Sequence, residues 1–163
     1  YANRLTFAAR LVYWEAGWGV FREYPWLGVG LGNAGYFFPQ TLSDYSWRLM
    51  EVRDLVFRSS SLLNIKSLWV RLLAETGTVG FAFFTAWLYV VWQSGRFLMA
   101  STQQLSRVMG LMAHLVIIGL MIEGFSLDTF ALPNYWLPLG LVTAAVMLEY
   151  RRLAEPNGSG AVR

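Results

Sequence analysis

A charged segment that runs into a long uncharged stretch constrains this chain more than any other feature. Lys66, Arg71 and Glu75 are followed by residues 76–95, which carry no charged side chain. About 20 consecutive apolar residues are enough to cross the hydrocarbon core of a bilayer. We therefore expect an amphipathic cationic helix that leads directly into a membrane span. Cations at such a boundary usually contact phosphate, either in lipid headgroups or in a phosphorylated substrate.

The composition also favours a membrane protein. Hydrophobic residues make up 56% of the chain and charged residues only 14%, against about 45–50% and about 25% in soluble domains. Eight tryptophans are present, and tryptophan is enriched at membrane–water interfaces. The absence of cysteine excludes disulfides, thiolate metal sites and cysteine nucleophiles. The single histidine, His114, cannot form a histidine-based metal site alone. We expect no cofactor.

The hydropathy pattern predicts an all-α polytopic membrane protein. The chain starts at Tyr1 with neither a methionine nor a signal peptide, so we expect a fragment of a longer protein. The predicted spans are residues 78–97, 108–125 and 135–150. The predicted organisation is an extracytoplasmic loop with amphipathic helices over 1–75, three transmembrane helices over 76–154 and a disordered cytoplasmic tail over 155–163.

The distribution of arginines predicts the orientation of these spans. Arg96 and Arg107 lie in the short loop after the first span, and Arg151 follows the third, whereas the turn at 126–134 has no lysine or arginine. The positive-inside rule then puts the 96–107 loop and the C-terminus in the cytoplasm. Residues 1–75 would face the periplasm or the exterior. Their mixed charge beside a membrane bundle argues against nucleic-acid binding.

An amphipathic helix is expected near the N-terminus, ending before Pro25. Its apolar side chains at helical spacing would lie on one face: Phe7, Leu11, Trp14, Trp18 and Phe21. Such a helix could lie on the bilayer surface or pack on the bundle. Arg10 is four residues before Trp14, a spacing that allows cation–π stacking or, alternatively, a bidentate grip on a lipid pyrophosphate.

A glycine-rich turn follows, with Gly28, Gly30 and Gly32. Such a loop can expose backbone N–H groups to an anion. The pattern is neither a Walker motif nor a dinucleotide-binding fingerprint. A tight turn that lets the chain pack closely on the bundle is therefore the favoured interpretation.

Ionisable residues near the first span are the main candidates for function. Arg71 and Glu75 are four apart, so we expect them to pair on one helix face. Lys66 is nine residues before Glu75 and would face the opposite way, so it is either a lysine snorkelling at the interface or a cation aimed at a phosphate. Within the predicted spans, His114 and Glu123 are candidates because ionisable groups at membrane depth are often functional. They are nine residues apart, so they too would face opposite ways along a helix. A hydrogen-bonded bundle residue is the favoured interpretation of His114.

The order of these pieces resembles the O-antigen ligase and O-antigen polymerase superfamily of bacterial polytopic membrane proteins. The resemblance covers about residues 4–92. Three motifs carry it: an Arg-x-x-x-Trp helix (Arg10 to Trp14), a Pro-x-x-Gly-x-Gly turn (Pro25, Gly28 and Gly30), and a Glu-x-Gly-x-x-Gly segment (Glu75, Gly77 and Gly80) that opens a span.

The resemblance implies a metal-independent membrane glycosyltransferase. Its donor would be a glycan on undecaprenyl pyrophosphate, and its acceptor another glycan, a lipid A core or a protein, in the assembly of lipopolysaccharide or other surface polysaccharide. The partners are therefore lipid-linked glycan, acceptor and membrane lipid. Arginines of the external loop would hold the pyrophosphate, a role that falls to Arg10, with Arg71 and Arg58 as further candidates.

Lys66 departs from the family pattern. Many members have a histidine followed by asparagine nine residues before the motif glutamate, and here that position holds Lys66 followed by Ser67. A histidine can act as a general base near neutral pH, whereas a lysine is normally charged there. Lys66 would instead bind phosphate or stabilise the leaving pyrophosphate, with Arg10. Alternatively, this member has lost the ligase chemistry.

Three other functions are compatible with these patterns. The first is a polymerase of the same superfamily, because no motif marks the acceptor. The second is a transporter or non-catalytic binder of the same lipid, although the paired broken helices typical of transporters are not evident. The third is a structural membrane subunit in which arginine and tryptophan serve only as interfacial anchors.

Overall fold

The computed structural model describes residues 2–44, 46–48, 50, 52–53, 64–127 and 133–154, with side chains described from residue 10 onward. These residues include five α-helices and a 3₁₀ helix at Ser46–Arg48, and none of them belongs to a strand. The α-helices are α1 (Ala2–Glu23), α2 (Ala34–Thr41), α3 (Leu68–Met99), α4 (Gln104–Glu123) and α5 (Pro133–Ala154). The predicted all-α class is confirmed. The predicted tail at 155–163 lies outside the described residues.

The chain divides into two compact units. Unit 1 comprises Tyr1–Phe84 and Ile122–Phe130, and unit 2 comprises Thr85–Met121 and Ala131–Arg163. Helices α3 and α4 each contribute residues to both units. The described residues among the predicted pyrophosphate ligands and motif glycines belong to unit 1: Arg10, Gly28, Gly30, Gly32, Lys66, Arg71, Glu75 and Gly77.

The core of unit 1 is built where α1 packs on α2. The ring of Tyr13 stacks on that of Phe38 with centroids 6.3 Å apart. Around this pair lie buried residues from both helices and from the chain before and within α3: Val12, Ala16, Val20, Ala34, Leu42, Val52, Ile65 and Ala74. This core holds α1 against the segment that precedes α3, which is where the candidate site lies.

Helix α1 buries a different face from the one that the apolar pattern marks. Val12, Ala16 and Val20 are buried, whereas Leu11 and Trp18 are each 48% exposed. Both faces of the helix are apolar, so spacing alone does not decide which one packs inward. Leu11 and Trp18 remain available to lipid or to another part of the protein. The helix ends at Glu23, as expected from Pro25 two residues later.

Helix α3 is sharply bent at Gly77, whose φ of 66° and ψ of −169° are not helical. The ring of Trp69 lies 6.5 Å from that of Phe81 and 6.1 Å from that of Phe84. Along a straight helix these residues would be about 18 and 22 Å apart. Residues 68–76 therefore fold over the first turns of residues 78–99. The cationic segment does lead directly into the candidate span, but the chain changes direction at this glycine.

Lys66 does not lie on the helix where the sequence placed it. Helix α3 begins at Leu68, and Lys66 has a left-handed backbone conformation with φ of 59°. The Ser67 carbonyl accepts the first helical hydrogen bond, from the N–H of Arg71 at 3.0 Å, so Ser67 occupies the N-cap position. Lys66 and Glu75 therefore do not lie on one helix, and helical spacing does not set their relative directions.

Two helices in the described part of the chain, α3 and α4, are long and apolar enough to cross a membrane. Only 28% and 33% of their most apolar windows are buried inside the structure. Core helices of soluble proteins are mostly buried, so these two helices have apolar surface that lipid or other protein would cover. Helix α5, the predicted third span, has Pro138 and Glu149 within it and falls short of the same criteria. The prediction of three spans is thus supported for two.

His114, in unit 2, forms a hydrogen bond within its own helix. The Nδ1 atom of His114 lies 2.9 Å from the carbonyl oxygen of Gly110, and because a carbonyl only accepts, Nδ1 donates. The imidazole packs edge-on against Trp92, with centroids 4.2 Å apart. The interpretation of His114 as a hydrogen-bonded bundle residue is confirmed.

Candidate functional site

The glycine-rich turn docks on the bend of α3 through backbone hydrogen bonds. The N–H groups of the turn donate to carbonyls just before the bend, and the N–H groups just after it donate to carbonyls of the turn. The four bonds are Val29 to Ala74 (3.1 Å), Gly30 to Glu75 (2.8 Å), Thr78 to Pro25 (2.8 Å) and Val79 to Trp26 (3.2 Å). We call residues 25–30 and 74–79 the glycine clasp. It joins the Pro-x-x-Gly-x-Gly and Glu-x-Gly motifs into one structure.

Two glycines make this close approach possible. Gly28 has φ of 65°, and a Cβ on it would lie 2.6 Å from the carbonyl oxygen of Glu75. Gly77 has φ of 66°, and its Cβ would lie 2.6 Å from the backbone nitrogen of Leu27. A side chain at either position would combine a strained left-handed backbone with overlap against the facing chain. Gly28 of the first motif is therefore required because Glu75 of the second lies against it, and Gly77 of the second is required because Trp26 and Leu27 of the first lie against it.

The clasp excludes the phosphate-loop interpretation for the first part of the turn. The N–H of Gly28 donates to the carbonyl of Tyr24, and those of Val29 and Gly30 donate to carbonyls of α3. These N–H groups are occupied and cannot also line an anion site. The predicted use as a tight packing turn agrees with this arrangement. Gly30 and Gly32 also have positive φ, 89° and 80°, and continue the turn toward α2.

Arg71 and Glu75 form the predicted ion pair. Arg71 Nε donates to Glu75 Oε2 at 3.1 Å, with the carboxylate buried and the guanidinium partly buried. The pair borders a small pocket of about 110 Å³, lined by Gly32, Ala34, Gly35, Asn64, Ile65, Arg71 and Glu75. The carboxylate balances much of the positive charge on Arg71, which weakens Arg71 as an independent anion ligand.

Lys66 is held against helix α1. The indole Nε1 of Trp14 donates to the carbonyl oxygen of Lys66 at 3.2 Å, across 52 positions of sequence. The Lys66 side chain is exposed, and Arg10, one helical turn before Trp14, is partly buried. The structure therefore brings the Arg-x-x-x-Trp helix and the lysine together. Arg58, the weaker pyrophosphate candidate, lies outside the described residues.

Ser67 is the site residue whose role the sequence reasoning missed. Its hydroxyl is buried and donates to the carbonyl oxygen of Gly124 at 3.3 Å, and the N–H of Leu68 donates to the same oxygen at 2.8 Å. The ring of Trp69 lies 6.5 Å from that of Phe125. These contacts fix the segment after Lys66 to the end of α4. A serine directly before an apolar helix is an N-cap signal that could have indicated this helix start.

No protein-family model, no curated protein and no solved structure matches this chain. The functional conclusion therefore rests on the geometry of unit 1 and on the motifs themselves. Within the described ranges, no group of three histidine, aspartate or glutamate side chains could hold a metal ion. The cations are the groups of this site that could neutralise a phosphate.

Proposed function

We propose that this chain carries the donor-binding loop of an O-antigen ligase-like membrane glycosyltransferase. The enzyme would move a glycan from undecaprenyl pyrophosphate to an acceptor glycan or lipid during cell-surface polysaccharide assembly. One observation supports this most directly: Trp14 bonds to the backbone of Lys66 at 3.2 Å. The helix that carries Arg10 therefore adjoins the lysine, so both cations assigned to the pyrophosphate lie on neighbouring elements.

The proposal places α3 and α4 across the bacterial cytoplasmic membrane, with α5 as a third span over residues 135–150. Glu149, near the end of α5, is buried and accepts hydrogen bonds from the hydroxyls of Ser101 (2.6 Å) and Ser106 (2.8 Å). Its carboxyl group is thus satisfied within the protein, which lowers the free-energy cost of holding it near a bilayer. Residues 1–75 would face the periplasm or exterior.

The proposed reaction exchanges one bond at the anomeric carbon of the donor sugar. The acceptor hydroxyl oxygen forms a bond to that carbon, and the bond from the carbon to the pyrophosphate oxygen breaks. The leaving undecaprenyl pyrophosphate takes the electron pair, and the hydroxyl proton passes to a base or to solvent. Negative charge grows on the leaving oxygen, and cations already in place stabilise it most effectively.

The geometry suggests different roles for the cations. Lys66 is exposed and outside any helix, so its side chain can reach a headgroup at the surface of unit 1. Arg10 would form the bidentate contact that a guanidinium makes with phosphate oxygens. Arg71 is committed to Glu75 at 3.1 Å and would act mainly by shaping the site. Arg58 remains a further candidate for the pyrophosphate.

The test is a transfer assay with the full-length protein. The purified protein would receive an undecaprenyl-pyrophosphate oligosaccharide with candidate acceptors, and the products would be separated by size. A single addition to an acceptor is the expected result for a ligase. A ladder of repeat units would identify a polymerase instead.

The same assay decides between enzyme and binder. If the protein binds the lipid-linked glycan but forms no product with any acceptor, glycosyl transfer is wrong and a binder or transporter replaces it. If it binds neither lipid-linked glycan nor acceptor, the cations are interfacial anchors and the chain is structural.

A further inference from the structure

Three large apolar side chains on the glycine-rich turn are exposed. Trp26 is 74% exposed, Leu27 73% and Leu31 67%. The glycine clasp holds the backbone of Trp26 and Leu27, and Leu31 follows directly after it. No charged residue occurs anywhere in residues 24–43. Exposed apolar clusters of this kind mark surfaces that contact lipid or another protein.

The clasp fixes the position of this turn along the axis of helix α3, next to Thr78 and Val79. The carbonyl of Pro25 accepts from the N–H of Thr78 at 2.8 Å, and that of Trp26 accepts from Val79 at 3.2 Å. Residues 78–99 of α3 form about 33 Å of helix, and the hydrocarbon core of a bilayer is about 30 Å thick. The turn therefore lies where α3 enters the membrane.

The chemistry of the turn favours lipid as the occupant of this surface. Tryptophan partitions to the headgroup level, where its ring is apolar and its N–H can bond to water or lipid. The exposed apolar surface of the turn continues onto α3 at Val79 and Phe83, both exposed. Because residues 24–43 carry no charge, they have no group that could form an ion pair with a charged protein surface.

We infer that residues 26–31 form a membrane-dipping turn, with Trp26 and Leu27 inserted at the boundary between headgroups and acyl chains. The turn anchors unit 1 at the bilayer surface. The inference depends on the membrane placement of α3 and not on glycosyl transfer.

Cysteine labelling tests this directly, because these residues contain no cysteine. Leu27→Cys in the full-length protein, with any other cysteine replaced, would carry an environment-sensitive fluorophore. The protein would be reconstituted in phosphatidylcholine vesicles with spin-labelled lipids, and iodide, present at equal concentration on both sides of the membrane, would be the aqueous quencher. Phe83→Cys, exposed on α3, is the lipid control, and Thr102→Cys, exposed in the turn between α3 and α4, is the aqueous control.

We expect the Leu27 label to be quenched by lipid spin labels near the headgroups and to be quenched by iodide several-fold less than the Thr102 label. Quenching by iodide as strong as at Thr102 would overturn the inference, because the turn would then be in water. Protection from both quenchers would overturn it too, because protein would cover the turn. Failure of lipid spin labels to quench at Phe83 would instead disprove the membrane placement of α3. Absence of transfer activity would leave the quenching result unaffected.

Discussion

Trp14 donates its indole N–H to the carbonyl oxygen of Lys66 at 3.2 Å. This bond joins helix α1 to the segment that precedes α3. It contributes to holding Lys66, whose backbone is left-handed with φ of 59°, in place. A non-glycine residue in this conformation costs about 1–3 kcal/mol and persists only where its surroundings determine it. The lysine is therefore positioned by tertiary contacts and not by its own helix.

Replacing Lys66 tests its proposed role. Lys66→Asn removes the charge, and asparagine tolerates the left-handed backbone, so the melting temperature should hardly change. Transfer should fall about 100-fold, the typical effect of losing one group that stabilises developing negative charge. Arg107→Gln, in the exposed first turn of α4, is the matched control and should retain full transfer. Normal transfer by Lys66→Asn would show that the lysine is only an interfacial residue.

Trp14 is predicted to position Lys66. Trp14→Phe keeps an aromatic ring but removes the N–H and part of the ring, so stability should fall by at least about 1 kcal/mol, the usual net value of one hydrogen bond. Transfer should fall less than in Lys66→Asn, and the double variant should match Lys66→Asn alone, because both changes act on one interaction. Trp18→Phe, one turn further along α1, should leave transfer unchanged. Additive losses in the double variant would show that Trp14 acts independently of Lys66.

The glycine clasp makes a sharp prediction for two glycines of the same turn. Gly28→Ala puts a side chain on a residue with positive φ, which strains the backbone, and places its Cβ 2.6 Å from the Glu75 carbonyl oxygen. It should therefore destabilise the protein by more than about 2 kcal/mol. Gly32→Ala has a similar φ of 80° but no atom within 4 Å of the added Cβ, so about 1 kcal/mol is expected. Thermal unfolding in detergent would compare them. Equal melting temperatures would argue against the clasp.

The Arg71–Glu75 pair should contribute to stability more than to binding. Glu75→Gln leaves the partly buried guanidinium without its carboxylate and should cost about 1–3 kcal/mol of unfolding free energy. The double variant Arg71→Gln with Glu75→Gln should recover part of that loss. Arg152→Gln is the control, since Arg152 is 45% exposed beside Glu149 at 3.4 Å, and such pairs contribute about 0–1 kcal/mol. A stable Arg71→Gln variant with greatly weakened lipid binding would assign Arg71 to the pyrophosphate instead.

Local patterns predicted much of this fold. The uncharged stretch after Glu75 indicated a membrane-length helix, the four-residue spacing indicated the Arg71–Glu75 pair, and Pro25 indicated the end of α1. The glycines of the turn were interpreted as a packing turn, which matches the clasp. These features depend on residues close in sequence, so helix geometry and local conformational preference were sufficient to find them.

The remaining features depend on contacts between distant residues. The bend at Gly77 exists because the turn at Trp26 occupies the space where a straight helix would continue its hydrogen bonding. The face of α1 that is buried was decided by Phe38 and Ile65, which spacing within α1 cannot reveal. The hydrogen bond between Trp14 and Lys66 spans 52 positions. None of these follows from periodicity.

If Lys66 and Arg10 hold the pyrophosphate of a polyprenyl lipid, as proposed, the affinity for that lipid should depend on both cations. The affinities of the full-length protein for undecaprenyl pyrophosphate and for undecaprenol would be compared, in the wild type and in Lys66→Asn with Arg10→Gln. We predict that the wild type strongly prefers the pyrophosphate and that the double variant loses this preference while still binding undecaprenol. An unchanged preference in the double variant would contradict the account, because the phosphate would then be held elsewhere.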